Sequence, residues 1–168
     1  MTELTLAVAQ DLVTLEGWLL DEGCRDPAAW RRWIDLYVPD ASFHVPAWID
    51  EVTPAHDPQT ELSLIWYQGR RNLEDRVWRA TSGLSVASSP PPRVAHVIGS
   101  VRVADAAGGV VTSAFAVHRF DRRSDATHTF FGHYRHVLAH DGQGWRIAAK
   151  TVLLMNDTIP TVLDFFHI

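Results

Sequence analysis

From Arg93 to Asn156 apolar residues recur at every second position, and this pattern limits the fold more than any other feature. Period-two alternation turns one face of each run toward a core and the other toward solvent, as in half-buried strands. It predicts four long strands, at about 94–104, 110–120, 127–140 and 145–156. Gly108-Gly109 and Asp141-Gly142-Gln143-Gly144 supply tight turns, and Asp121 to Asp125 forms a polar hairpin loop. Consecutive strands with such short connections pair antiparallel. A sheet of this kind needs cover for its apolar face, and the chain before Arg93 is the only cover available.

That first half reads as helical. Val8, Leu12, Leu15 and Leu19 repeat at helical spacing. Asp26 is a good N-cap, and Pro27 suits the first helical position. Trp30, Trp33, Ile34 and Tyr37 then mark one buried stripe, which Pro39 ends. Ser42 to Trp48 alternates, with Phe43, Val45 and Ala47 on one face and His44 and Trp48 on the other. Beyond a loop holding Pro54 and Pro58, the spacing of Leu62, Ile65, Trp66 and Gly69 predicts a further helical stretch. Asn72 is read as the cap of another helix, carrying Leu73, Val77, Ala80 and Leu84, with Asp75 near its positive end and Gly83 at its exit. Ser88-Ser89-Pro90-Pro91-Pro92 is a stiff connector, too short to separate domains. Helices followed by a meander define an α+β class. The expectation is a single domain over residues 1–168, with a curved antiparallel sheet wrapped around the N-terminal helices as a cone.

Charge removes several functions. The net charge is -5, and basic runs do not exceed pairs such as Arg70-Arg71 and Arg122-Arg123, so nucleic acid is not an expected partner. No apolar run reaches the ~20 residues of a membrane span, and no leader-like start is seen, so the expected location is the cytoplasm. The one cysteine, Cys24, cannot build a disulfide within the chain or a multi-cysteine metal site, and reads as a buried thiol.

Nine histidines invite a metal reading. His128, His136 and His140 share one strand face with Tyr134, while His133 lies on the other, and His44, His96 and His118 fall on other strands. A site of two histidines and a carboxylate would draw on such residues. No histidine pair on one strand has a carboxylate at ligand spacing, so structural or interface roles are expected. There is no Gly-x-Ser-x-Gly elbow or phosphate-cradling loop. The cone has an interior that could act as a pocket, where Asp35, Tyr37, His44, Tyr67 and His96 are the candidates for acid–base work. The competing expectation, which we favour, is an interior filled by Trp, Phe and Leu.

Several motifs are familiar. Glu61-Leu62-Ser63-Leu64-Ile65-Trp66-Tyr67 followed by Asn72-Leu73-Glu74-Asp75-Arg76-Val77 resembles the middle of β subunits from aromatic-ring-hydroxylating dioxygenases. Pro91-Pro92-Arg93-Val94-Ala95-His96-Val97-Ile98-Gly99-Ser100-Val101-Arg102-Val103 resembles their connector and first long strand. Lys150-Thr151-Val152-Leu153-Leu154-Met155-Asn156-Asp157 and the tail from Thr161 to Ile168 resemble their last strand and ending. The likeness spans nearly the whole chain and is strongest to the benzoate, anthranilate and halobenzoate branch. Phe166 departs from it, standing where Tyr is expected, so a hydroxyl hydrogen bond made there by relatives would be absent.

The resemblance implies the cone fold of nuclear transport factor 2 and ketosteroid isomerase, also termed cystatin-like. It implies a non-catalytic structural subunit acting in aromatic compound degradation. The implied assembly is a β trimer beneath a trimer of large α subunits, an α3β3 hexamer. The Rieske iron–sulfur cluster and the mononuclear iron are expected in the partner large subunit, with no cofactor or metal in this chain. One cysteine agrees, since a Rieske centre takes two Cys and two His. The alternative is a free-standing isomerase or dehydratase of the same fold. Trp, Tyr and Arg anchor interfaces, so the expected interface residues are Trp66, Tyr67, Arg70, Arg71, Arg76, Arg79 and Arg93. Replacing Arg76 or Arg93 by Ala is expected to weaken assembly more than the monomer fold.

Overall fold

A computed structural model of the chain describes residues 3–160 and 162–168, which leaves Thr161 of the tail motif outside it. Two helices open the chain. In α1 (Leu6–Gly23) the Thr5 hydroxyl accepts from the Val8 N–H at 3.3 Å, and α2 (Pro27–Ile34) starts on the Asp26 carboxylate, which accepts from Ala28 N–H at 3.0 Å. Each cap satisfies a backbone donor that has no intrahelical partner. The buried stripe of α1 runs through Ala9, Leu12, Val13, Glu16, Leu19 and Leu20; Leu15, expected inside, is exposed.

Tyr37 does not close α2, as its spacing predicts. The helix stops at Ile34, and Tyr37 begins the strand β1 (Tyr37–Pro46). Pro39 explains the difference: it disfavours the helical region for Val38, and its ring would clash with the carbonyl of residue 35. The predicted helix at 62–69 is instead the strand β2 (Ser63–Gln68), paired antiparallel with β1. A run of Ile, Trp and Tyr prefers a pleated, half-buried surface, and Leu62, counted as part of the helical stripe, is exposed. The third helix, α3 (Arg70–Thr81), starts two residues before the predicted cap. Gly69 precedes it at φ 88°, where glycine carries no Cβ penalty, and the Asn72 amide donates to the Gln68 carbonyl instead. Gly83 leaves this helix at φ 77° as expected, but Leu84 lies beyond it and is exposed.

The four long strands are β3 (Arg93–Asp105), β4 (Val110–Asp121), β5 (Ala126–His140) and β6 (Trp145–Leu154). They form an antiparallel meander. The six-stranded sheet has the order β2-β1-β6-β5-β4-β3 and is not wholly antiparallel, because β1 pairs parallel with β6. That pairing sets the β1–β2 hairpin beside the last strand, so one curved sheet wraps over the helices.

A 3-10 turn at Phe165–His167 ends the chain inside the core. Phe165, Phe166 and Ile168 are fully buried. Trp30 stacks on Phe166 at 5.2 Å and Trp33 on Phe165 at 5.0 Å. Phe166 therefore fills its place by ring contact, with Trp30 on its face.

Candidate functional site

The interior under the sheet is the place to look for catalysis. Trp30, Trp33, Tyr37, Phe43, Phe130 and Tyr134 are all buried there, so the interior is filled as expected. One charged cluster sits among them. Glu16 of α1, 0% exposed, accepts hydrogen bonds from Lys150 Nζ at 3.0 Å, His136 Nε2 at 2.9 Å, Trp33 Nε1 at 3.4 Å and the Tyr37 hydroxyl. Lys150 also lies over the Tyr134 ring, 4.2 Å from its centroid.

Burial alone would raise the Glu16 pKa. The charges of Lys150 and His136, with hydrogen bonds from His136 and Tyr37, outweigh it and hold the carboxyl well below the usual range. Burial, and then the Glu16 charge, push the Tyr37 phenol well above its ordinary value. A buried carboxylate held in its charged form by four donors is a poor base for a substrate proton. Such a network specifies how α1, α2, β1, β5 and β6 fit together.

Sequence reasoning missed Glu16 and Lys150, although a signal existed. Glu16 falls in the apolar stripe four residues after Leu12, and Lys150 shares the strand face of Val152 and Leu154.

The acid–base candidates do not converge. Asp35 is the C-cap of α2, and its carbonyl accepts from Arg146. His44 pairs with Ser63 at 3.0 Å, and burial lowers its pKa. Tyr67 packs on Phe43 at 6.3 Å. His96 bonds Asp21 of α1 at 2.6 Å through Nδ1. Only Tyr37 belongs to the Glu16 cluster.

Among the described residues, no three His, Cys, Asp or Glu come together at metal-binding distance. Burial raises the Cys24 thiol to about 12, so it offers no ready thiolate ligand. A Rieske cluster does not fit this donor set.

The expected interface residues divide by environment. Arg71, Arg79 and Arg93 are exposed, and Arg93 lies 5.7 Å from the Phe120 ring centroid. Trp66 and Tyr67 are half-buried on β2, and Arg70 bridges to Glu74 at 3.3 Å. Trp78, beside Arg79, is 68% exposed. Arg76 turns toward its own chain. It grips Asp164 with two bonds, Nε at 3.0 Å and Nη2 at 2.7 Å, and Asp164 is buried. That fork pins the C-terminal turn over the core.

The profile of the family described as ring hydroxylating beta subunit matches residues 23–161. The chain is 38% identical over 143 residues to the benzoate 1,2-dioxygenase subunit beta of Acinetobacter baylyi, covering 85% of each. The crystal structure of the beta subunit of the benzoate 1,2-dioxygenase from Burkholderia mallei superposes with a TM-score of 0.76 at 34% identity, over 100% of both chains. A nuclear transport factor 2-like protein from Exiguobacterium, 15% identical, gives a TM-score of 0.56 over 88% of this chain and 99% of its own, which shows the shared fold.

Proposed function

Because the chain belongs to the ring hydroxylating beta subunit family, we propose that it is the structural small subunit of an aromatic-ring-hydroxylating dioxygenase of the cytoplasm, serving aromatic compound degradation. It forms a homotrimer that seats three large subunits as α3β3. The large subunits carry the Rieske cluster and the mononuclear iron, and the reaction takes place there. The observation that carries this reading is full-length likeness to a benzoate 1,2-dioxygenase beta subunit in both sequence and fold.

The chemistry of the interior supports it. An isomerase or dehydratase needs an open pocket with a free acid or base, whereas Trp30, Trp33 and Phe165 fill this interior and Glu16 is held by four donors. The subunit contacts are assigned to Trp66, Tyr67, Arg70, Arg71, Arg79 and Arg93, with exposed Trp78 among them. Indoles and arginines at the surface are the groups that gain most from a desolvated partner surface.

The test is co-expression with Rieske-type large subunits, followed by light scattering and ring-hydroxylation assays with a reductant. The expected result is a trimer alone, a hexamer with the large subunit, and turnover only in the hexamer. A chain that stays monomeric and ignores every large subunit refutes the proposal.

A further inference from the structure

The face of the sheet turned away from the helices carries a cavity of about 510 Å³, roofed along one side by Pro54, Ala55 and His56. Its floor is built by register. Arg102 of β3 stands opposite Thr112 of β4, Thr112 opposite Arg135 of β5, and Arg135 opposite Thr151 of β6, in one continuous cross-strand row. A second row, Ala114, His133 and Leu153, lies beside it. Pro46, Ala114 and Leu153 give the wall an apolar character.

Arg102 reaches this row only because β3 carries an extra residue. Three residue steps along β3, from Gly99 to Arg102, span two along β4, from Ala114 to Thr112. The bulge passes through Ser100 at φ 53°, a left-handed conformation that a non-glycine residue rarely adopts. It turns Arg102 outward into the row. Without it, Arg102 would point toward the helices. A strained residue that re-aims one side chain marks a site rather than a packing accident.

The two arginines flank Thr112, their Cα atoms roughly 10 Å apart across two strand spacings, near enough for both long side chains to close on one group. Among the described residues neither has an ion-pair partner, and no carboxylate lines the cavity. Two like charges held beside an apolar wall lack only the anion that would neutralise both, and guanidinium groups take carboxylates in a bidentate fork. The volume is that of a small-molecule site. We propose that this groove binds a small organic carboxylate, its acid group between Arg102 and Arg135 and its apolar body against Ala114 and Leu153. Every group in the site comes from this one chain.

The experiment follows the imidazole resonances of His56 and His133 in the full chain during titration with sodium phenylacetate and, separately, with the neutral phenylacetamide. Saturable shifts with phenylacetate are expected, with the amide at least tenfold weaker. Arg102→Gln and Arg135→Gln should each weaken phenylacetate roughly tenfold or more, the loss of one charge-assisted contact. Leu153→Glu, which places a carboxylate inside the groove, should abolish binding. The proposal is overturned by an absence of saturable shifts up to millimolar ligand, by amide binding as tight as the acid, or by affinities that both glutamine variants leave unchanged.

Discussion

Replacing Glu16 by Gln tests whether the buried cluster holds the core together. The change keeps the shape of the side chain and removes its charge. Lys150 would then be a buried ammonium without a counter-ion, and Tyr37 and His136 would lose a charged acceptor. Breaking one side of a buried ion pair costs about 3–5 kcal/mol. For a chain of this length, each kcal/mol lowers Tm by roughly 2–4 °C, so a fall of about 6–20 °C is expected. Thermal and urea unfolding followed by circular dichroism at pH 7 measure the fall in Tm and the loss of free energy. Removing both charges with Glu16→Leu and Lys150→Met should cost much less than the sum of the single changes, because no charge is then stranded. The pH dependence follows from the low pKa of Glu16. Its ordinary value is 4.5, and the folded value lies below it, so the contribution is full above about 4.5 and is lost as pH falls further. Glu16→Gln should remove that share of the acid sensitivity. A loss under about 1 kcal/mol at pH 7, or additive single and double changes, would refute the reasoning.

Arg76→Ala strands the buried Asp164 carboxylate, so it should cost about 3 kcal/mol or more in urea unfolding and speed proteolysis of the C-terminal turn. Arg76→Lys, which cannot make the fork, should recover only a fraction of that loss. An unchanged midpoint for Arg76→Ala would refute the pinning role. His167 is held neutral down to about 3, mainly by burial and then by the Arg119 and His96 charges, against an ordinary 6.5. Protons then favour the unfolded chain below 6.5, and this group should cost roughly 2 kcal/mol between pH 6.5 and 5. His167→Gln should flatten stability in that window, and an identical pH profile would count against it. A methyl group on Gly23 would collide with the Trp30 indole. Gly23→Ala should therefore destabilise by about 1–3 kcal/mol and shift Trp30 emission, and a neutral result would show that the indole can move.

The four long strands, the start of the second helix and the filled interior were legible in the sequence because each rests on local chemistry. Alternation from Val94 to Leu154 needs only one covered face, and the Asp26-Pro27 cap needs only its own backbone. The family was legible for a related reason: the order of short motifs survives in the linear chain. The misses lie where distant segments meet. Residues 62–69 match a helical spacing, and pairing with the edge of β1 decides for the strand. The parallel pairing of β1 with β6 joins residues about a hundred positions apart, and no local pattern encodes it. The Glu16–His136–Lys150 cluster, the Arg76–Asp164 fork and the Arg102–Thr112–Arg135 row likewise depend on register and crossing geometry. Periodicity says which side of an element faces inward. It does not say which element faces it, since that choice is made by burial and ion pairing over the whole chain at once.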